Sequence, residues 1–138
     1  MNKIIDVHGH CGYSFFPISI EWGKDIVNMM DRYGIDKLIV SNFRGIFYEM
    51  TDANHEVEQT ISPYQGRLYG YIVVNPHYLK ESLYDIEYYS QKQGFVAVKM
   101  HPAWHQCKVN SKKYEPLFAL CNDMKFPIMA HSFISEAI

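Results

Sequence analysis

Two histidines separated by one residue, His8-Gly9-His10, are the first feature of the chain with the makings of chemistry. On an extended backbone, residues two apart project on the same side. Both imidazoles can therefore reach one cation, and Gly9 leaves room for another group to come close. Neutral imidazole suits zinc, iron, nickel or copper. Taken alone, His-x-His is a short pattern that also arises with no site attached. Two further residues add weight to it. Asp6 shares the strand face one step earlier, where a carboxylate can orient a ligand. His131 ends a second short run, Pro127-Ile128-Met129-Ala130. Histidines closing two distant strands at one rim form a constellation rather than a dipeptide match.

Those side chains need elements to carry them. The chain alternates short β-rich runs with helix-patterned runs. Lys3 to His8, Leu38 to Ser41, Tyr69 to Val74, Phe95 to Met100 and Pro127 to His131 read as strands. Trp22 to Tyr33 reads as a helix with Ile26, Met29, Met30 and Tyr33 on one face and Gly34 as its stop. Asp52 to about Tyr64 is a second, less strongly patterned helix. A third is capped by Asn75-Pro76 and carries Leu79, Leu83 and Ile86 towards Gly94. The fourth runs from Ser111 to Lys125, with Pro116 tolerable only near its first turn. Alternation of this kind predicts a parallel α/β sheet with right-handed crossovers.

A doubly wound sheet and a (β/α) barrel both satisfy that pattern. Strand faces favour the barrel. In the first strand Ile5 and Val7 oppose Ile4, Asp6, His8 and His10. In the fourth, Val96, Val98 and Met100 oppose Phe95, Ala97, Lys99 and His101. Each strand thus has an apolar face for helices and a face that gathers ionisable groups near its C-terminal end, as at a barrel mouth. No glycine-rich phosphate loop follows the first strand, which counts against a dinucleotide-binding fold. The expected architecture is an incomplete TIM-type (β/α) barrel, about five parallel strands with four helices on the outer face, as a single domain over residues 1–138.

Composition sets the remaining bounds. The 138 residues are 48% hydrophobic and 20% charged, with a formal net charge of -2. That is ordinary globular composition. It gives no electrostatic reason to expect nucleic acid or an anionic membrane as partner. Cys11, Cys107 and Cys121 are odd in number and widely spaced, so no disulfide framework is expected. The N-terminus meets Asp6 and then histidines, leaving no apolar signal core, and no apolar run reaches transmembrane length. The expected compartment is the cytoplasm.

Asp6-Val7-His8-Gly9-His10 resembles the first-strand Asp-x-His-x-His of the amidohydrolase superfamily. Met30-Asp31-Arg32-Tyr33-Gly34-Ile35-Asp36-Lys37 is similar to the first helix and second strand of its amidohydrolase-2 branch, which holds aromatic-acid decarboxylases besides hydrolases. Gly94 to Pro102 is similar to the branch's fourth strand, and Phe126 to Ser132 to its fifth. The resemblance covers nearly the whole chain, in four blocks in the right order. It implies that His8 and His10 bind a divalent metal from the first strand and His131 from the fifth. Zinc is the leading cation, with manganese or iron as alternatives. Lys99 lies at or near the position where binuclear members carry a carboxylated bridging lysine. The reading preferred here is an inward lysine paired with Asp6 or with an acid from elsewhere, because an unpaired buried ammonium is costly.

Weaker candidates surround that set. His101, held extended by Pro102, either touches substrate or fills the rim. Trp104 and His105 occupy the loop after the fourth strand, where a substrate would sit. Arg44, in the loop after the second strand, suits a substrate carboxylate. His55 and His77 read as surface or cap residues, and Tyr88 and Tyr89 as helix-packing aromatics. The expected chemistry is a metal-activated water attacking an amide, ester or lactone carbonyl. Decarboxylation of an aromatic or unsaturated acid is the alternative. A third reading is a non-catalytic barrel fragment that binds metal or a complementary chain. The family's further histidine on strand six and acid/base aspartate on strand eight cannot be assigned here. A full barrel usually takes about 250 residues. Self-association, or completion by a missing C-terminal part, is therefore expected, with a small molecule as substrate.

Overall fold

Each of the five strand-like runs enters one parallel sheet, and the helices between them return the chain over one face. The computed structural model describes residues 3–14 and 22–132. Met1 and Asn2, which open the N-terminal stretch, and Ile138 lie outside them. The strands are β1 (Ile5–Cys11), β2 (Lys37–Asn42), β3 (Leu68–Val73), β4 (Phe95–Met100) and β5 (Ile128–Ala130). Their order in the sheet is β1-β2-β3-β4-β5, all parallel. The helices are α1 (Gly23–Tyr33), α2 (Phe43–Phe47), α3 (Met50–Ile61), α4 (Leu79–Tyr89) and α5 (Glu115–Asp123). Sequential order separates this fold from a doubly wound sheet, in which the order reverses.

The sheet is curled. On β3, Tyr71 points to the inner face and its hydroxyl donates to the Val7 carbonyl of β1 at 2.6 Å, two strands away. The result is an incomplete TIM-type barrel. Its core lies outside the curl, where Leu38, Val40, Ile72 and Val98 from the strands meet Ile26 and Met30 of α1, Val57 and Ile61 of α3, Ile86 of α4 and Leu117 of α5, all buried. Burying each such side chain stabilises the fold by roughly 1.5–3 kcal/mol against leaving it exposed. Gly70 is small for a packing reason: a Cβ there would come within 2.6 Å of Val57.

The structure corrects several local expectations. There are five described helices rather than four, because the five-residue α2 follows β2 directly. Asn42 at its N-cap accepts from the Arg44 amide at 2.9 Å. A helix this short has too few positions to show a 3.6-residue period. In α1 only Ile26 and Met30 of the four expected residues are buried; Tyr33 is 63% exposed. Gly34 does end α1, at φ 70° in the left-handed region where glycine is at ease. Asn75 caps a turn and not α4, accepting from the His77 amide two residues before α4 begins at Leu79. Pro116 sits in the first turn of α5. Tyr89 is buried in the core, whereas Tyr88 is exposed.

The two-residue alternation expected along β1 is broken: its register on β2 shifts between Asp6 and Gly9, and Ile5 and Val7 are 54% and 48% exposed rather than covered by a helix. No helix among the described residues is long and apolar enough to cross a membrane.

Candidate functional site at the C-terminal rim

The inner face of the curl and the C-terminal ends of its strands gather the histidines. His8 and His10 project inward from β1, and their rings lie 5.1 Å apart. His131, one residue past β5, places its ring 5.3 Å from that of His8. The three predicted metal-binding imidazoles are therefore neighbours in space, although β1 and β5 stand at opposite ends of the sheet order. His10 Nδ1 is 3.1 Å from the Ser41 hydroxyl of β2, which sets the ring's orientation. That leaves Nε2 as the outward nitrogen.

Burial and mutual repulsion favour the neutral form of His8, His10 and His101. The pKa of His10 is lowered to about 4, first by burial and then by His8 and Lys99. His8 is lowered by burial, then by Lys99 and His131. His101 is lowered to about 3, by burial and by His131. Neutral imidazole is the ligand form for a cation of the zinc or manganese type. In donor type and neighbourhood the set fits a divalent metal. It is not closed into a ligand cluster: among the described residues, no three His, Cys, Asp or Glu side chains converge on one point. Part of the reason is that Lys99 Nζ lies 3.0 Å from His8 Nε2, where the ammonium takes the lone pair a cation would use.

Lys99 is wholly buried and its pKa is lowered by burial to about 8. The expected partnership with Asp6 is not made. Asp6 Oδ1 instead accepts from the backbone amide of His8 at 2.9 Å. Lys99 has no carboxylate partner among the described residues.

The remaining candidates divide between rim and scaffold. His101 is buried and stacks on His131, centroids 4.3 Å apart at 13°. Trp104 is 45% exposed and packs beside His101 at 5.8 Å. His105 turns from these rings: it is buried, its Nδ1 is 2.7 Å from the Tyr114 hydroxyl, and its carbonyl is met by His77 Nε2. Arg44 belongs to α2 rather than to a loop and is held by Glu56 of α3 at 2.7 Å, with Asn42 on the other carboxylate oxygen. One guanidinium nitrogen is thus engaged by Glu56, while the buried Nε has no hydrogen-bond partner among the described residues. His55 is exposed on α3 beside Gln59. His77, though exposed, is the residue that ties the loop after β3 to the loop after β4.

Phe43 and Phe47 join the rim although nothing in the sequence singles them out. Phe43 stacks on His10 at 4.1 Å and 20°. Phe47 lies parallel to Phe43 at 6.1 Å and meets Trp104 edge-on at 4.3 Å. Their only sequence signal is the i, i+4 spacing of two phenylalanines just after a strand, which reads equally well as core.

Comparison with known proteins places the fold. The chain matches the family described as amidohydrolase over residues 29–138, a span that begins after His8 and His10. No curated protein gives a significant match. Among solved structures, 5-carboxyvanillate decarboxylase from Novosphingobium aromaticivorans, in complex with manganese, aligns with a TM-score of 0.81 at 15% identity, over 94% of this chain and 50% of that one. 2,6-Dihydroxybenzoate decarboxylase from Rhizobium aligns at 0.78 and 12% identity, over 99% and 53%. A probable 2-pyrone-4,6-dicarboxylic acid hydrolase from Acinetobacter baumannii aligns at 0.62 and 15% identity, over 95% and 50%. The chain spans about half the length of these structures, and at such identities they speak for the fold alone. The family match covers most of the sequence, from Met29 to its last residue, and on that ground the chain belongs to the amidohydrolase family.

Proposed function

We propose that this chain carries the histidine half of a metal-dependent site that removes carbon dioxide from a small aromatic or unsaturated carboxylic acid. The observation that carries the reading is Lys99, a buried ammonium with no carboxylate partner among the described residues, set among neutral imidazoles. An uncompensated buried cation is costly, and an anionic ligand group relieves the cost. The solved structures with the higher TM-scores quoted above, the two decarboxylases, act on acids of this kind.

His8, His10 and His131 are the residues that would hold the cation. When bound, such an ion polarises a substrate oxygen and stabilises charge developing there. The chain's own groups do the rest. Lys99 holds an anionic oxygen of the substrate by a charge-assisted hydrogen bond. Ser41 orients His10, and His101 backs His131. Phe43, Phe47 and Trp104 keep water from one side of the rim. Zinc suits the imidazole set, and the manganese of the Novosphingobium structure makes that ion the second candidate.

Hydrolysis of an ester, amide or lactone is the second reading, favoured by the family's description and by the Acinetobacter neighbour. The test has two stages. About one divalent cation per chain, lost in His8→Ala/His10→Ala, is the expected metal analysis. Metal-dependent carbon dioxide release from a panel of hydroxybenzoates is the expected turnover. Lactone or ester cleavage without carbon dioxide would move the assignment to hydrolysis. Bound metal with neither activity would leave a non-catalytic metal-binding half-barrel.

A further inference from the structure

Three rings not accounted for by metal binding stand between His10 and His101. Phe43 and Phe47 come from α2, and Trp104 comes from the loop after β4. Contacts run from His10 to Phe43 at 4.1 Å, on to Phe47 at 6.1 Å, and across to Trp104 at 4.3 Å. From Trp104 the contact passes to His101 at 5.8 Å. The rings therefore bridge the ends of β2 and β4 as one continuous wall, joined at both ends to the imidazole rim. Phe43 and Phe47 are only partly buried and Trp104 is 45% exposed. That is a large aromatic surface to leave beside a polar rim. Rings packed merely to fill the core lie beneath the helices here, as Tyr89 and Tyr114 do.

We propose that Phe47 and Trp104 are specificity-determining residues of this site, reading whether the substrate skeleton beyond its carboxylate is flat and conjugated. The proposal rests on the carboxylic-acid reading above. Lys99 would anchor the anionic end, and the wall would meet the remainder. Aromatic side chains favour offset-stacked and edge-to-face partners, because the ring face is electron-rich and the edge electron-poor. A saturated ring of the same carbon count offers no such complement and is thicker. It is also the more apolar of the two, so a wall acting by apolar burial alone would prefer it. The sign of the preference therefore separates stacking from simple greasiness.

The test is a pair of titrations, benzoate against cyclohexanecarboxylate, on the intact chain at neutral pH. Both acids are ionised there and carry the same carboxylate. Binding is read by calorimetry and by Trp104 fluorescence in a Trp22→Phe background. The expected result is benzoate binding about fivefold tighter, a ratio that falls towards unity in Phe47→Leu and in Trp104→Leu. Leucine keeps apolar bulk without a ring face, and circular dichroism establishes that each variant is folded. Equal binding of the two acids by the unaltered chain would overturn the proposal. So would a ratio that survives both substitutions, or failure of either acid to bind. The outcome is separable from the function reading. A preserved ratio with no carbon dioxide release would sink decarboxylation and leave the wall standing. Carbon dioxide release with no ratio would do the reverse.

Discussion

Lys99 Nζ lies 3.0 Å from His8 Nε2, although their strands are three apart in the sheet. In a flat sheet that separation is about 14 Å between backbones. Curling brings the two side chains together and buries the ammonium against the His8 imidazole, with no carboxylate partner among the described residues. Lys99→Met should therefore raise the thermal midpoint, by an amount equivalent to about 1–3 kcal/mol. It should also abolish carboxylate binding. A melt showing Lys99→Met to be less stable than the unaltered chain would mean that the ammonium is compensated by a group outside the described residues.

Acid should destabilise the fold. The pKa of His105 is lowered to about 4 by burial and by His77, and that of His10 to about 4. His101 is lowered to about 3. In the unfolded chain each titrates near 6.5. The folded pKa lies below the unfolded one, so the unfolded state binds more protons between these values. The stability these neutral rings carry is complete above about pH 6.5 and declines steadily from there towards pH 4. A plot of thermal midpoint against pH should fall across that window. His105→Gln should flatten the fall; an unchanged slope would mean that His105 is not held neutral.

Asn54 is the most exacting polar residue of the core. It is fully buried, donates to the Val73 carbonyl at 2.9 Å and to Asp85 Oδ2 at 2.8 Å, and accepts from the Val73 amide at 2.8 Å. It thereby ties α3 to both β3 and α4. Asn54→Ala would strand three buried polar groups, each costing about 1–3 kcal/mol if left unpaired. Urea titration should show a loss of about 3 kcal/mol or more, or failure to fold. A loss under about 1 kcal/mol would mean that water replaces the amide.

The β1 edge should drive association. Ile5 and Val7 are half-exposed, and β1 pairs with a neighbour on one side only among the described residues. Unpaired apolar edges recruit other chains. Sedimentation velocity should show concentration-dependent association, reduced by Val7→Lys. A cooperatively melting monomer at every concentration would defeat this expectation.

Much of the scaffold was legible from residue order. β4 was readable to the residue because Gly94 and Pro102 bracket an apolar run, and the alternation of Val96 and Val98 with Ala97 and Lys99 set its faces. Gly34 marked the end of α1 for the same kind of reason, since glycine accepts the left-handed turn a helix end needs. The helix between β2 and α3 was not legible. Phe43 to Phe47 is too short for periodicity, and its phenylalanines look like core from sequence. The partners that Arg44 and Lys99 find within the chain were not legible, because charge pairing depends on what lies opposite in space. Glu56 reaches Arg44 from a separate helix, while Asp6 bends back to its own backbone.

Local order along the chain determined which residues form strands, and that His8, His10, Lys99 and His131 sit near strand C-termini; in β1 it did not determine the faces, because the register shifts between Asp6 and Gly9. Those properties depend on neighbours one to four residues away. Only the tertiary structure decided that the sheet curls. Through that curl β1, β4 and β5 share one rim, Lys99 meets His8 rather than Asp6, and the rings of α2 reach Trp104. Curvature is the sum of twist and packing over five strands, and no local pattern encodes which distant side chains that sum brings into contact.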